Sequence, residues 1–396
     1  MRMKQWIRNT LAAAVTAALL AGCGGGGGGD NDDDSGPVPS YARLVSFGDS
    51  LSDVGTYRTA GLAAQGGGQF TINDFNPATR PKAGTNWTEQ LAYELALPAP
   101  CAARTGLNAS GSLAGLAQAQ ADHAGCFNYA QGGARVTEAI GPGNAALLLM
   151  TPPNLDGELG ALTQPVKDQI AHHLAVSGGS FAATDLVTVL AGGNDVFMQV
   201  AALRAKVAAG ADPTVAAQEA GAALQQAGGE LAALVLGQMV GKGAQRVVVA
   251  LLPDVGASAR AKALPPQQRE LLSRLSLAFN APLVAALSGN PRVLVVDAYT
   301  ASELQALDPA RYGLTNVSQS ACLVDTALFC SAATLRPGVD VSRYWFADDI
   351  HLTPYGYQLL ARTATDTMTK AGWLAPYGQR PCNGTTGFSC ALAPLP

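Results

Sequence analysis

Apolar residues along the chain gather in short runs that end on turn-forming residues. Arg43 to Phe47 ends in Gly-Asp, Asp185 to Ala191 in Gly-Gly-Asn-Asp, Gln245 to Pro253 leads into Asp-Val-Gly, and Pro291 to Asp297 into Ala-Tyr. Runs of this length without polar alternation fit strands buried on both faces, as in a parallel sheet. Elsewhere apolar positions recur at helical spacing over Pro213 to Val240, Pro265 to Leu287 and Pro354 to Ala371, the last opening on a first-turn proline. Strands alternating with helices predict an α/β fold: a three-layer α/β/α domain around a central, mostly parallel sheet. Ligands in such sheets bind outside the carboxyl ends of the strands.

Four stretches break the alternation: Arg58 to Ala83, Ala96 to Gly125, Glu138 to Gln164 and Thr300 to Tyr344. They carry Gly, Pro, Asn and most of the cysteines, and read as long loop insertions on a single domain where substrate choice resides.

The N-terminus follows different rules. Arg2, Lys4 and Arg8 precede the apolar run Leu11 to Leu20 and a few small residues, the order of a secretory signal over residues 1–22. That run is too short to span a bilayer. The junction Leu20-Ala-Gly-Cys23 resembles a bacterial lipoprotein signal, in which Cys23 is lipidated and becomes the new N-terminus. Gly24 to Gly29 and the Asp-rich tract to Gly36 cannot pack, so residues 23–40 read as the lipidated cysteine and a flexible tether. Gly rather than Asp after the cysteine is similar to the sorting signal for an outer membrane. The expectation is an exported protein, anchored by lipid in the cell envelope, with residues 41–396 as its one folded domain.

Composition narrows the partners. Of 396 residues 48% are apolar, enough for a large core, and only 14% are charged, with 25 Lys and Arg against 29 Asp and Glu. No basic stripe is available for nucleic acid. Besides Cys23 there are six cysteines, Cys101, Cys126, Cys322, Cys330, Cys382 and Cys390. In an exported chain they suggest disulfides, and sequence-local pairing would join 101 with 126, 322 with 330 and 382 with 390, each worth about 2–4 kcal/mol. No Cys-x-x-Cys occurs and only His123 lies near a cysteine, which argues against zinc; no metal or cofactor is expected.

Histidine is the scarcest group for acyl-transfer chemistry, with four in the chain. His172 and His173 sit within a helical stretch, where a solvent-facing pair is expected, and His123 lies in a loop. His351 differs because Asp348 stands three positions ahead of it. That spacing lets the carboxylate fold back onto Nδ1 and leave Nε2 free as a base.

Four blocks then carry a resemblance: Gly48-Asp-Ser-Leu-Ser52, Asn128-Tyr-Ala-Gln-Gly-Gly-Ala134, Gly192-Gly-Asn-Asp195 and Asp348-Asp-Ile-His351. In this order they resemble the signature blocks of the GDSL, or SGNH, esterase and lipase family, and Gly84 to Leu91 resembles its usual helix after the first loop. The resemblance implies a flavodoxin-like SGNH hydrolase fold. It also implies a nucleophile at Ser50, where a strand turns into a helix, with His351 as base and Asp348 as its orienter. The oxyanion hole would come from Ser50 N–H, Gly133 N–H, with Gly132 as the neighbouring alternative, and the Asn194 side chain. Ser46 would point into the sheet, Ser52 would cap the following turn, Asp53 and Asp195 would brace turns, and Asp349 is out of register. No Gly-x-Ser-x-Gly elbow occurs. The expected enzyme is a monomeric serine esterase or lipase. Phospholipase, lipid acyltransferase and carbohydrate O-acetyl esterase chemistry are alternatives on the same site, and a non-catalytic envelope binding module is the rival of another class.

Overall fold

The computed structural model describes residues 38–73, 85–380 and 395. Residues 1–22, Cys23, Cys382 and Cys390, on which four of the expectations above rest, lie outside them.

The strands are β1 (Arg43–Gly48), β2 (Arg104–Leu107), β3 (Gln118–Asp122), β4 (Asp185–Leu190), β5 (Arg246–Ala250), β6 (Val293–Val296), β7 (Asn316–Ser320) and β8 (Tyr344–Phe346). The main helices are α1 (Trp87–Glu94), α2 (Val166–Val176), α3 (Gly193–Ala208), α4 (Pro213–Leu234), α5 (Pro266–Leu287), α6 (Ala298–Leu307) and α7 (Pro354–Lys370). The four apolar runs form one sheet in the order β1-β4-β5-β6, with every pairing parallel.

Side chains alternate between the two faces of that sheet, and both faces are covered. Val45, Phe47, Val187, Val189, Val247 and Val249 pack with Ile170 of α2, Leu224 of α4 and Phe279 of α5. Leu44, Leu186, Leu190, Val248 and Val296 pack with Trp87 and Leu91 of α1 and with Tyr357, Leu359 and Met368 of α7. Such two-sided burial is why the strands read as unbroken apolar runs. The central, mostly parallel sheet with helices on both sides is the expected three-layer fold.

Local signals set helix α1. Asn86 caps α1 by accepting from Thr88 and Glu89 N–H, while Glu89 reaches back to Asn86 N–H at 2.7 Å. This reciprocal capping is worth about 1 kcal/mol. Trp87, fully buried, then fixes the helix against the sheet. Truncating such a side chain to alanine costs about 3–5 kcal/mol.

The insertions are more ordered than their composition suggests. Residues 96–125 contain the antiparallel pair β2–β3, and 300–344 contain most of α6 and strand β7, which pairs with β8 in parallel. Both are stapled: Cys101 is bonded to Cys126 and Cys322 to Cys330. The helical histidines also depart from expectation. His172 is half-buried, and His173 is completely buried, with Phe47, Phe127, Tyr129 and Phe181 around its ring. Helix α2 puts Val166, Gln169, Ile170 and His173 on its inward stripe, so position 173 must be inside wherever Ile170 is.

Candidate active site

Strand β1 ends at Gly48, whose φ of +142° and closeness to Leu190 O exclude a side chain; an added Cβ would stand 2.1 Å from that oxygen. The chain turns there. Gln169 of α2 holds the turn from behind, accepting from Gly48 N–H and donating to Gly48 O, both at 2.8 Å. Ser50 follows on a turn, and no helix begins directly after it, contrary to expectation.

The Asp348-x-x-His351 segment folds by the ordinary chemistry of aspartate in turns. Asp348 Oδ1 accepts from the N–H groups of Ile350 (2.8 Å) and His351 (2.6 Å). The chain therefore curls back and returns the imidazole to the same carboxylate: His351 Nδ1 lies 2.7 Å from Asp348 Oδ2. His351 Nε2 lies 2.8 Å from Ser50 Oγ, although 301 positions separate the residues. Burial pushes the Asp348 carboxyl up, but the His351 charge and the hydrogen bonds from His351 and Ile350 outweigh it, so it sits below the usual carboxylate range. A buried anion on Nδ1 fixes the tautomer in which Nε2 can accept a proton from the serine hydroxyl.

The second block meets the end of β1, where Gln131 N–H donates to Gly48 O at 3.1 Å, and Asn194 of the third lines one cavity with Ser50. Gly132 N–H donates to Asp53 Oδ2 at 2.9 Å, whereas Gly133 N–H and Ser50 N–H have no acceptor among the described residues. Gly133 has φ +78°, and a Cβ there would meet Pro142 O at 2.5 Å; at Gly132 it would meet the Phe70 ring at 2.2 Å. Asn194, at the start of α3, donates one amide hydrogen to Ala134 O at 2.9 Å, which aims the other away from that loop. The loop is clamped at both ends. Asp53 holds Gly132 and also accepts from Gly55 and Thr56 N–H, while Asp195 accepts from the Arg135 guanidinium Nε and from Val136 N–H. Both aspartates thus brace turns as expected. Open donors and a hydroxyl hydrogen-bonded to a base are the kinds of group that hold a tetrahedral oxyanion.

Other positions resolve as follows. Ser46 is buried in the sheet and accepts from Thr188 Oγ1 at 2.9 Å. Ser52 does not cap its turn; its Oγ accepts from Trp87 Nε1 at 3.0 Å, tying the nucleophile turn to α1. Asp349 pairs with Arg260. His123 contacts Thr105 Oγ1 on the β2–β3 pair.

Three residues near the site escape sequence reasoning. Gln169 grips the Gly48 turn, and its signal is a polar residue on the apolar stripe of α2. Phe70, from the first insertion, packs its ring 4.7 Å from that of His351. Asp49 lies completely buried beneath Ser50, and burial pushes its carboxyl up to about 7 against the opposing pull of Leu51 N–H and His351. An apolar cavity opens from Ser50 and Asn194 between Phe197, Leu252, Ile350 and Trp345.

A doubly covered parallel sheet, with a serine, a histidine and an aspartate converging at its carboxyl edge beside open donors, defines a class of protein built to act on acyl esters. The model of the GDSL-like lipase/acylhydrolase family matches residues 44–364, and the chain belongs to that family. Ester hydrolysis is the general activity that membership gives it. A comparison with curated proteins found no match.

Proposed function

We propose that this protein is a serine esterase or lipase that cleaves esters of extended apolar acyl chains through an acyl-Ser50 intermediate. Ser50 Oγ attacks the ester carbonyl carbon as its proton passes to His351 Nε2, and the Asp348 carboxylate stabilises the imidazolium. The negative charge on the carbonyl oxygen is met by Ser50 N–H, Gly133 N–H and Asn194 Nδ2. Collapse of this intermediate breaks the bond to the alcohol oxygen, which takes the proton from His351. Water, deprotonated by the same histidine, then releases the acid and restores the hydroxyl. No cofactor or metal enters any step.

The observation that carries the reading is the unbroken relay from Ser50 Oγ through His351 to Asp348, at 2.8 and 2.7 Å, at the mouth of the apolar cavity. The apolar wall of the cavity favours an alkyl acyl group over a polar one. The N-terminal sequence adds that the enzyme works while tethered to the cell envelope through lipid on Cys23, at the outer membrane. Detergent-extracted protein is expected to carry diacylglycerol on that cysteine by mass spectrometry; another, unmodified N-terminus would remove the anchor from the proposal.

The test of catalysis is hydrolysis of p-nitrophenyl esters from acetyl to palmitoyl by the folded, oxidised protein and by Ser50→Ala. Serine-dependent turnover that rises with chain length is expected, with loss of about 10⁴-fold or more in the variant. A maximum at acetyl would favour a carbohydrate O-acetyl esterase, and acyl transfer to glycerol in place of free acid would favour an acyltransferase. Unreduced turnover in Ser50→Ala would exclude this mechanism, and no turnover on any ester would favour a binding module.

A further inference from the structure

The cavity that opens at Ser50 is not apolar throughout. Helix α6 begins directly after β6, at the carboxyl edge of the sheet, and helices that follow parallel strands run back along them. Its residues Ala298, Ser302 and Gln305 line the cavity at helical spacing. Gly356, Leu360 and Thr363 do the same on α7. Gln305 therefore stands two helical turns, about 10 Å, along α6 from Ala298.

Gln305 is 4% exposed. Its neutral amide, with donors and an acceptor, has no hydrogen-bond partner among the described residues. Ser302, its neighbour on the stripe, is satisfied: it donates to Tyr299 O at 2.7 Å and accepts from Asp254 N–H at 2.9 Å. The same helix leaves Leu307 81% and Leu304 46% exposed. Helix α6 thus turns an unpaired amide inward and leucines outward, opposite to what packing alone favours. A buried polar group without a partner is costly, and one that faces a cavity beside a nucleophile points to a ligand.

We infer that Gln305 is a specificity-determining residue that hydrogen-bonds a neutral oxygen function, a hydroxyl group, on the distal part of the acyl chain. The inference rests on the proposed esterase reading for the position of the acyl carbonyl. A hydroxyl suits the site because an amide can both donate to it and accept from it. Among the described residues, the ionisable side chains on the cavity wall are Asp49 and Asp254, with no cationic one to receive a carboxylate. The preferred substrate class is then esters of hydroxylated medium- or long-chain acids, in which the apolar wall takes the methylenes and Gln305 the hydroxyl.

The test compares methyl esters of hydroxyalkanoic acids, with the hydroxyl moved stepwise along the chain, against the unsubstituted esters of equal length. Wild-type protein is expected to favour one hydroxyl position by about tenfold in kcat/KM, the scale of one buried hydrogen bond. Gln305→Leu, close in volume, should reverse that order and favour the plain chain while keeping the wild-type circular dichroism. In parallel, calorimetry with the hydroxylated and plain free acids on Ser50→Ala, with and without Gln305→Leu, reads the same preference without turnover. A flat series in both measurements, or a preference that survives Gln305→Leu, would overturn the assignment. Absent or serine-independent hydrolysis together with a Gln305-dependent binding preference would leave the assignment standing and remove the catalytic reading.

Discussion

His173 offers a measurable consequence of burying a titratable group in an aromatic cage. Burial drives its pKa down from 6.5 to about 4. The nearby Asp185 carboxylate opposes the fall, and the Arg43 and His172 charges reinforce it. Its Nδ1 lies 3.2 Å from the Tyr129 hydroxyl, and its Nε2 is buried without a partner, so the ring is held neutral. Because the folded pKa lies below the unfolded one, the unfolded chain binds more protons between them. The contribution of this residue is therefore fully present above about pH 6.5 and is lost as pH falls toward about 4. At about 1.4 kcal/mol per pH unit, the depression is worth about 3 kcal/mol at the acid end. His173→Phe keeps a ring in the cage and removes the titration. Urea unfolding of both proteins from pH 7.5 to 4 isolates the term, since every other titrating group is common to the pair. Wild type minus variant should fall by about 2–3 kcal/mol across that range, allowing for residual solvent access. Parallel stability curves would refute the argument, because they require the histidine to titrate alike in both states.

Other expectations follow from the site. Gly133→Ala places a Cβ 2.5 Å from Pro142 O at a positive φ, so the loop shifts and its N–H leaves the oxyanion position; kcat should drop about 10²–10³-fold with KM little changed. Asp348→Asn should keep the fold but lower kcat by about 10⁴-fold through the wrong imidazole tautomer, with residual turnover above that of Ser50→Ala, as read in steady-state assays. Asp49, whose folded carboxyl is pushed up to about 7, gives stability below its unfolded pKa of 3.8 that is lost as pH rises through 7. Asp49→Asn should therefore flatten the loss of thermal stability between pH 5 and 8, and an unchanged slope would count against its burial.

Much of this molecule is legible in its sequence, and the exceptions share a physical cause. The strands stand out because burial on both faces leaves Val247 to Val249 without a polar residue, and between Val187 and Val189 only Thr188, which is bonded to Ser46 on β1. The Asp348-x-x-His351 geometry is readable because the turn is made by the aspartate itself. Gln169 and His173 are missed for a common reason, that a polar residue on a helix is assigned outward by default, and Gln305 because Thr300 to Tyr344 reads as a loop. Only the phase of Val166 and Ile170 shows that positions 169 and 173 face the core. The β2–β3 pair hides because Gln118 to Asp122 is largely exposed, so its strands carry no apolar alternation. Ser52 was assigned to a local cap because its partner, the Trp87 indole, lies 35 positions away.

The loop closed by Cys322 and Cys330 also reaches into the site. Ala327, within that loop, donates its N–H to Asp348 Oδ2 at 2.6 Å, on the same oxygen that receives His351. Breaking that disulfide would lift a constraint on the segment that carries this donor. On the proposed mechanism, oxidation of the Cys322 and Cys330 thiols then bears on the base as well as on the loop. The bond that staples the loop thus also sets the direction of the carboxylate behind His351.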